Sequence, residues 1–502
     1  MFFVTSRQIQ MLLAVFFVFH AFSSVSRGAE KPLNVVLILV DDMGWMDLSC
    51  QGSRYYQTPN VDRLAKEGMR FTNGYAACAV CSPTRAAVMT GRYPARIGVT
   101  DWIRARFQRG GKGTPKQNPT AYVGGKRKLL CPPNPFWMEH EEVTIAEMLK
   151  AKGYVSCHIG KWHLGDPAWY PEHQGFDVNI AGCDLGQPPS YFDPYTSTRY
   201  KFDTANIKPR KTGEYLTDRE GDDAASFIKK NKDRPFFLYM AHYAVHTPIQ
   251  ARADLTKKYE AKAKQQDTGP QKNAKYAAMV HSVDDACGKI MKSLKDAGVD
   301  DRTLVIFTSD NGGLRGPTHN APLRSGKGFP FEGGIRVPFI VRWPSVVKAG
   351  TVSDEPVMSI DLLPTIAAAT GVSLPKDRSI DGLSLVPVLS DADGDKKREG
   401  EKVVGGKLGR TALYWHFPHY RHSPGPYSIV REGDWKLIKY YEGKKYLFNL
   451  AKDLEEANDL SVSMPDKVAA LEKQLMSHLK SVQAKLPRAN PNASSKTKSN
   501  AK

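Results

Sequence analysis

Apolar and polar positions along this chain change period several times, and each change predicts an element. NVVLILVDDMG (34–44) is an unbroken β-branched run that stops at two acids, so it reads as a central strand buried on both faces. In TPNVDRLAKEGMRF (58–71) the apolar positions recur at helical spacing, with Pro59 near the start and Gly68 near the end of an amphipathic helix. TIAEMLKAKGY (144–154) repeats the pattern, a helix stopped at Gly153, and leads into the strand-like YVSCHIG. The helical DDAASFIKKNKD (222–233) precedes the buried strand PFFLYMAHYAV (235–245). A long helix, KYAAMVHSVDDACGKIMKSLKDAG (275–298), precedes the strand DRTLVIFTSDNGG (301–313). Helices alternating with apolar strands predict an α/β fold: a large mixed, mostly parallel sheet sandwiched by helices.

The pattern changes near the C-terminus. TALYWHF, YSIVREG, DWKLIKYY and KYLFNL are short, aromatic and separated by turns, which predicts a small antiparallel sheet. PDKVAALEKQLMSHLKSV (465–482) follows as a last helix. The polar stretch 390–406 marks the boundary. The expected organisation is a signal peptide over 1–28, a catalytic domain over 29–385, a small α+β domain over 386–484, and a disordered basic tail over 485–502. The signal peptide rests on Arg7, the apolar run MLLAVFFVFHAF (11–22), too short to span a bilayer, and the small residues Ser26 and Gly28. It predicts export to a periplasmic or extracellular location. No later run is long enough for stable membrane insertion.

Charge narrows the partners. The 502 residues include 71 Lys and Arg against 52 Asp and Glu, a net charge of +19, which favours anionic partners. Export excludes nucleic acid and leaves a polyanionic substrate. Eight basic residues and no acid fall between Ile103 and Met138: Arg104, Arg106, Arg109, Lys112, Lys116, Lys126, Arg127 and Lys128. They read equally as a solvated loop or as a surface that steers a polyanion. HFPHYRH (416–422) adds His and Arg to a possible pocket rim.

Two apolar strands end in paired oxygen donors, Asp41-Asp42 and Asp310-Asn311. Adjacent carboxylates at the mouth of a core strand repel unless a cation compensates them. Hard oxygen donors point to calcium or magnesium. Cys81 opens the helix CSPTRAAVMTG, with Pro83 in its first turn and Arg85 one turn on. A thiol at a helix N-terminus is expected to be acidified and reactive. Seven cysteines, an odd number, leave at least one unpaired; Cys157 and Cys287 read as further buried thiols.

CSPTRAAVMTG resembles the Cys-x-Pro-x-Arg signature of the formylglycine-dependent sulfatases of the alkaline phosphatase superfamily. The resemblance continues through LVDDMGW, GYVSCHIGKWHLG, HYAVHTP, SDNGG, SGKGFPFEGGIRVP and SIDLLPTI, in order across most of residues 33–385. It implies that a maturation enzyme oxidises Cys81 to Cα-formylglycine. It implies one Ca2+ per chain, held by Asp41, Asp42, Asp310 and Asn311, with modified Cys81 as a fifth ligand. One hydroxyl of the hydrated aldehyde would attack sulfur; loss of a proton from the other would expel sulfate. Lys161, His246 and Lys327 would bind the sulfate, with His246 or Lys327 at the leaving oxygen. His163 would hold or deprotonate the remaining hydroxyl, and Arg85 would orient the hydrate. The implied activity is a sulfuric ester hydrolase acting on a sulfated carbohydrate or an aryl sulfate. Hydrolysis of phosphate or phosphonate monoesters, and glycan binding by an unmodified relative, stand as alternatives.

Overall fold

The computed structural model describes residues 32–110, 113–198, 207–208, 210–391, 396–398 and 401–493. The expected signal peptide lies outside them. Ten strands form one sheet, in the order 396–398, 401–404, 351–353, 69–71, 339–342, 303–309, 34–40, 236–241, 155–160 and 178–180. Neighbours run parallel except where 339–342 meets 69–71 and 303–309, and where 396–398 meets 401–404.

The Asn34–Val40 strand lies at the centre because it has no polar face to give to water. Val36, Ile38 and Val40 enter one apolar cluster with the helices Leu216–Asn231 and Ala274–Asp296. Val35, Leu37 and Leu39 enter a second cluster with the helices Cys81–Thr90 and Leu362–Thr370. Burying these six aliphatic side chains contributes on the order of 9–18 kcal/mol, at about 1.5–3 kcal/mol each. That apolar anchor holds a cluster of buried charges at the strand's carboxyl end.

The four C-terminal strands pair antiparallel in chain order, 412–417, 427–432, 435–440 and 445–449. Alternate residues again divide between two faces. Trp415, Phe417, Ile429, Ile438 and Phe448 pack on Ala77, Ala79, Val80 and Phe331. Val430, Leu437 and Leu447 are covered by Val468, Leu471, Leu475 and Leu479 of the Pro465–Ser481 helix. Trp415 Nε1 donates to Ala76 O at 2.8 Å and ties this sheet to the segment that leads into Cys81.

Two features differ from the sequence reading. Residues 401–404 extend the large sheet beside 351–353 instead of joining the small one. Residues 488–490, within the stretch expected to be disordered, make ordered contacts. Arg488–Ala489 pairs antiparallel with Leu129–Leu130, and Asn490 binds the backbone of 125–128, contacts that a composition rich in Lys and Asn does not reveal. The expected disordered stretch from 494 onward lies outside the described residues. None of the seven cysteines forms a disulfide.

Candidate active site

The site lies at the carboxyl ends of the central strands, where open α/β sheets place their ligands. In an extended strand, adjacent side chains point to opposite faces. Asp42 breaks that alternation with φ 61°, in the left-handed region, so the two carboxylates lie on the same side of the turn. The neighbouring strand ends at Ser309 and delivers Asp310, whose Oδ1 accepts from Asp42 N at 3.2 Å. Gly160 ends the next strand but one, at φ 99°; a Cβ there would lie 2.0 Å from Ala241 O. That close approach feeds Lys161 into the same cluster.

Asp41, Asp42, Asp310, Asn311, Arg85 and Lys161 are all buried, with at most 1% exposure. Lys161 Nζ lies 2.7 Å from Asp41 Oδ2, and Lys327 Nζ lies 2.5 Å from Asp42 Oδ1. Arg85 Nε and Nη2 reach Asp310 Oδ2 at 2.9 and 2.8 Å, and its Nη1 donates to Lys161 O at 2.7 Å. Three carboxylates thus face three cations in a water-poor setting, where paired charges are tolerated and single ones are not. Burial pushes Asp41 well above the usual carboxylate range, reinforced by Asp310. Burial acts the same way on Asp42 and Asp310, but it is outweighed: Lys327 and His246 hold Asp42 low, and Arg85 and Lys161 hold Asp310 low.

Cys81 begins its helix as expected, and its Sγ sits 3.8 Å from Asp41 Oδ1 and 3.3 Å from Lys327 Nζ. The expected acidification is not found. Burial raises the thiol's pKa, and the Asp310 and Asp41 carboxylates add to the rise against the two lysines. A helix dipole acts at the first turn, but here desolvation outweighs it.

His163 adopts φ 61°. Its Nε2 lies 2.7 Å from Ile103 O, an acceptor, so that nitrogen carries the proton. Nδ1 is then an acceptor, buried and without a hydrogen-bond partner among the described residues. Ser82 Oγ donates to His163 O at 3.0 Å and accepts from Ile103 N at 2.9 Å, bracing both. His246 Nδ1 lies 2.8 Å from Thr247 O, which leaves Nε2 facing Asp42 Oδ2 at 3.7 Å. Burial, then Lys327, lowers His246 to a pKa of about 3. His242 is a separate case: its Nδ1 binds Glu220 Oε2 at 2.7 Å in the core.

A cavity of about 190 Å³ opens onto this cluster. Cys81, His163, His246 and Lys327 line it together with Trp102, Phe107, Gln108, Gln187 and Arg421. Arg85 instead lies behind it, gripping Asp310 and the Lys161 carbonyl. Of the histidines in HFPHYRH, His416 is buried against Ser428 Oγ and His419 against Thr100 Oγ1, while Arg421 reaches the rim. Trp102, Phe107, Gln108 and Gln187 carry no local sequence signal; only the tertiary fold places them here.

The residues fit a hard cation. Asp41, Asp42, Cys81 and His246 each offer one donor atom, all within 4.8 Å of one another. Asp42 Oδ2 and Asn311 Oδ1 are buried and make no hydrogen bond among the described residues, although buried polar oxygens are normally satisfied. The Asp310 carboxylate adjoins this group but is held by Arg85 and Asp42 N.

Residues 33–372 match the sulfatase family, and residues 325–485 match the C-terminal region of N-sulphoglucosamine sulphohydrolase. A sulfatase of Formosa agariphila is 32% identical, covering 89% of this chain and 88% of that protein. Human N-acetylgalactosamine-6-sulfatase is 37% identical over 72% of this chain and 66% of its own length. The crystal structure of Ps i-CgsB superposes with a TM-score of 0.71 at 30% identity, covering 89% of this chain and 93% of that one; it has also been crystallised with k-i-k-neocarrahexaose. On the alkaline phosphatase-like architecture described above, with Cys-Ser-Pro-Thr-Arg at the mouth of a buried oxygen cluster, this chain belongs to the sulfatase family of sulfuric ester hydrolases.

Proposed function

We propose that the protein is an exported hydrolase that removes sulfate from a sulfated carbohydrate after residue 81 has been converted to Cα-formylglycine by a maturation enzyme. The observation that carries this reading is the setting of Cys81. It is buried, its pKa is raised, and it is wedged between Asp41 and Lys327 at the floor of the cavity. A hydrated aldehyde at that position would present a hydroxyl to the same lysine. The substrate class is supported by the carbohydrate named for the human relative and by the saccharide bound to Ps i-CgsB.

Calcium is the proposed cation. Asp41, Asp42, Asp310 and Asn311, with residue 81, would hold it. When bound, it lowers the pKa of the attacking hydroxyl and balances charge developing at sulfur. The aldehyde hydrate supplies one hydroxyl for attack and a second through which sulfate is released.

The chain's own groups do the positioning. Lys327, with its pKa raised by Asp42 despite burial, stays charged and faces the sulfate. Lys161 Nζ, 2.7 Å from Asp41 Oδ2, opposes the rise that burial and Asp310 impose on that carboxyl and anchors it beside residue 81. Arg85 fixes Asp310 and the Lys161 backbone, which sets the spacing between the strand ends. His163 Nδ1, free to accept, takes the proton of the hydroxyl that stays on residue 81. His246 Nδ1–H is committed to Thr247 O, so Nε2 serves the leaving oxygen. Burial, with the Lys327 charge second, keeps His246 neutral; an entering sulfate offsets the Lys327 part and so shifts the balance toward the protonated acid.

Cys81→Ser tests the reading. The variant should fold and bind calcium, while sulfate release from aryl and saccharide sulfates falls at least about a thousandfold, as for loss of a covalent nucleophile. Sulfate release within tenfold of wild type would refute it.

A further inference from the structure

We propose that a second, basic pocket beside the cavity binds another anionic group, a sulfate or a carboxylate, on the same saccharide chain whose sulfate ester lies at residue 81. This rests on the sulfatase reading of the cavity. The pocket has a volume of about 340 Å³ and is lined by Lys126, Arg127, Lys128, Tyr420, Arg421 and Glu442. Arg421 lines both spaces, so one side chain separates an anion in the cavity from an anion in the pocket. A Cβ at position 328, the residue after Lys327, would fall 2.4 Å from Arg421 Nε; Gly328 is what allows that arginine to lie there.

The basic turn is held in place by the chain that returns at the C-terminus. Asn490 Nδ2 donates to Gly125 O at 2.9 Å and to Arg127 O at 2.7 Å, and Asn490 N donates to Lys128 O at 2.9 Å. Leu129 N donates to Tyr420 Oη at 3.1 Å, and the Arg127 guanidinium lies 4.6 Å from the Tyr420 ring centroid. The backbone is thereby fixed while the charged ends remain exposed.

Charge balance separates this turn from Arg106 and Arg109. Arg106 is neutralised by Asp184 at 3.2 Å and Arg109 by Asp166 at 2.5 Å, so neither serves a ligand. Around the pocket, four cations meet one carboxylate, Glu442, which lies 3.5 Å from Lys128 Nζ. Among the described residues, Lys126, Arg127 and Arg421 have no carboxylate within ion-pair distance. A cluster of unmatched cations around a concave surface raises the local concentration of anions.

The test uses the full-length protein at matched modification of residue 81. Sulfate release by wild type and by Lys126→Ala/Lys128→Ala is compared on four substrates: an aryl sulfate, a monosulfated neutral disaccharide, and oligosaccharides carrying either a second sulfate or a carboxylate. The proposal predicts a KM increase of about three- to tenfold for one or both dianionic saccharides, the sum of two exposed ion pairs, with kcat unchanged. The aryl sulfate and monosulfated disaccharide should be unaffected, and Lys126→Arg/Lys128→Arg should restore binding. Which dianion responds distinguishes sulfate from carboxylate. Equal KM for wild type and the alanine variant on both dianions would overturn the pocket and leave the sulfatase reading intact. No sulfate release from any substrate by the wild type would overturn the sulfatase reading, and the pocket with it.

Discussion

Around Cys81, each charged side chain is tolerated only because a partner of opposite sign lies against it. Arg85 is the clearest case: fully buried, it contacts two of the three site carboxylates and a backbone carbonyl. Asp310→Ala would leave that guanidinium short of its main partner, at a cost of about 3–5 kcal/mol. The variant should show a matching fall in unfolding free energy, lose the proposed metal by elemental analysis, and release no sulfate. Unchanged metal content would remove Asp310 from the ligand set. The paired donors at 41–42 and 310–311 were legible in the sequence because each directly follows a buried strand. Trp102, Phe107 and Arg421 were not: they come from loops up to 319 residues apart that meet only after the small sheet packs on the large one. The thiol's raised pKa was misread for a related reason, since local helix geometry predicts the dipole but not the burial.

At the scale of elements, the seam between the small sheet and the C-terminal helix carries an acid sensitivity. His416, on the 412–417 strand, is buried with Nδ1 against Ser428 Oγ at 2.7 Å and Nε2 against Lys485 O at 3.2 Å. Burial lowers its pKa from 6.5 to about 4. His478, stacked on Tyr414 at 3.7 Å, is lowered to about 4 by the same cause. As pH falls below 6.5, the unfolded chain takes up protons that the folded chain refuses until about pH 4, so stability is lost across that window. For His416 the loss amounts to about 2–3 kcal/mol by pH 4.5. Urea unfolding of wild type and His416→Gln at pH 7 and 4.5 should show the variant losing less stability by that amount; parallel pH curves would contradict it. The antiparallel strands themselves were predictable from alternation and turns, but the clasp of 488–490 on 125–130 was not. Two residues of strand pairing leave no periodicity to read.

For the molecule as a whole, net charge is a poor guide until it is divided by location. The +19 balance and the basic run from 104 to 128 suggested a polyanion. Part of that charge is neutralised within the protein: the Arg106 and Arg109 side chains pair with acids 78 and 57 residues away. Lys126, Arg127 and Arg421, with no carboxylate at ion-pair distance among the described residues, gather beside the cavity. Among the described residues no helix is long and apolar enough to cross a membrane. The large sheet supplies the charge cluster, the small sheet supplies one rim of the cavity, and the loops between them supply its aromatic and cationic walls.

The central claim is that activity belongs to the aldehyde at residue 81. The direct measurement is peptide mass spectrometry of the 81-containing fragment across preparations made with increasing amounts of maturation enzyme, set against sulfate released per molecule. The account predicts that activity rises in proportion to formylglycine occupancy and reaches zero with it. Full turnover by protein that retains the Cys81 thiol would contradict it.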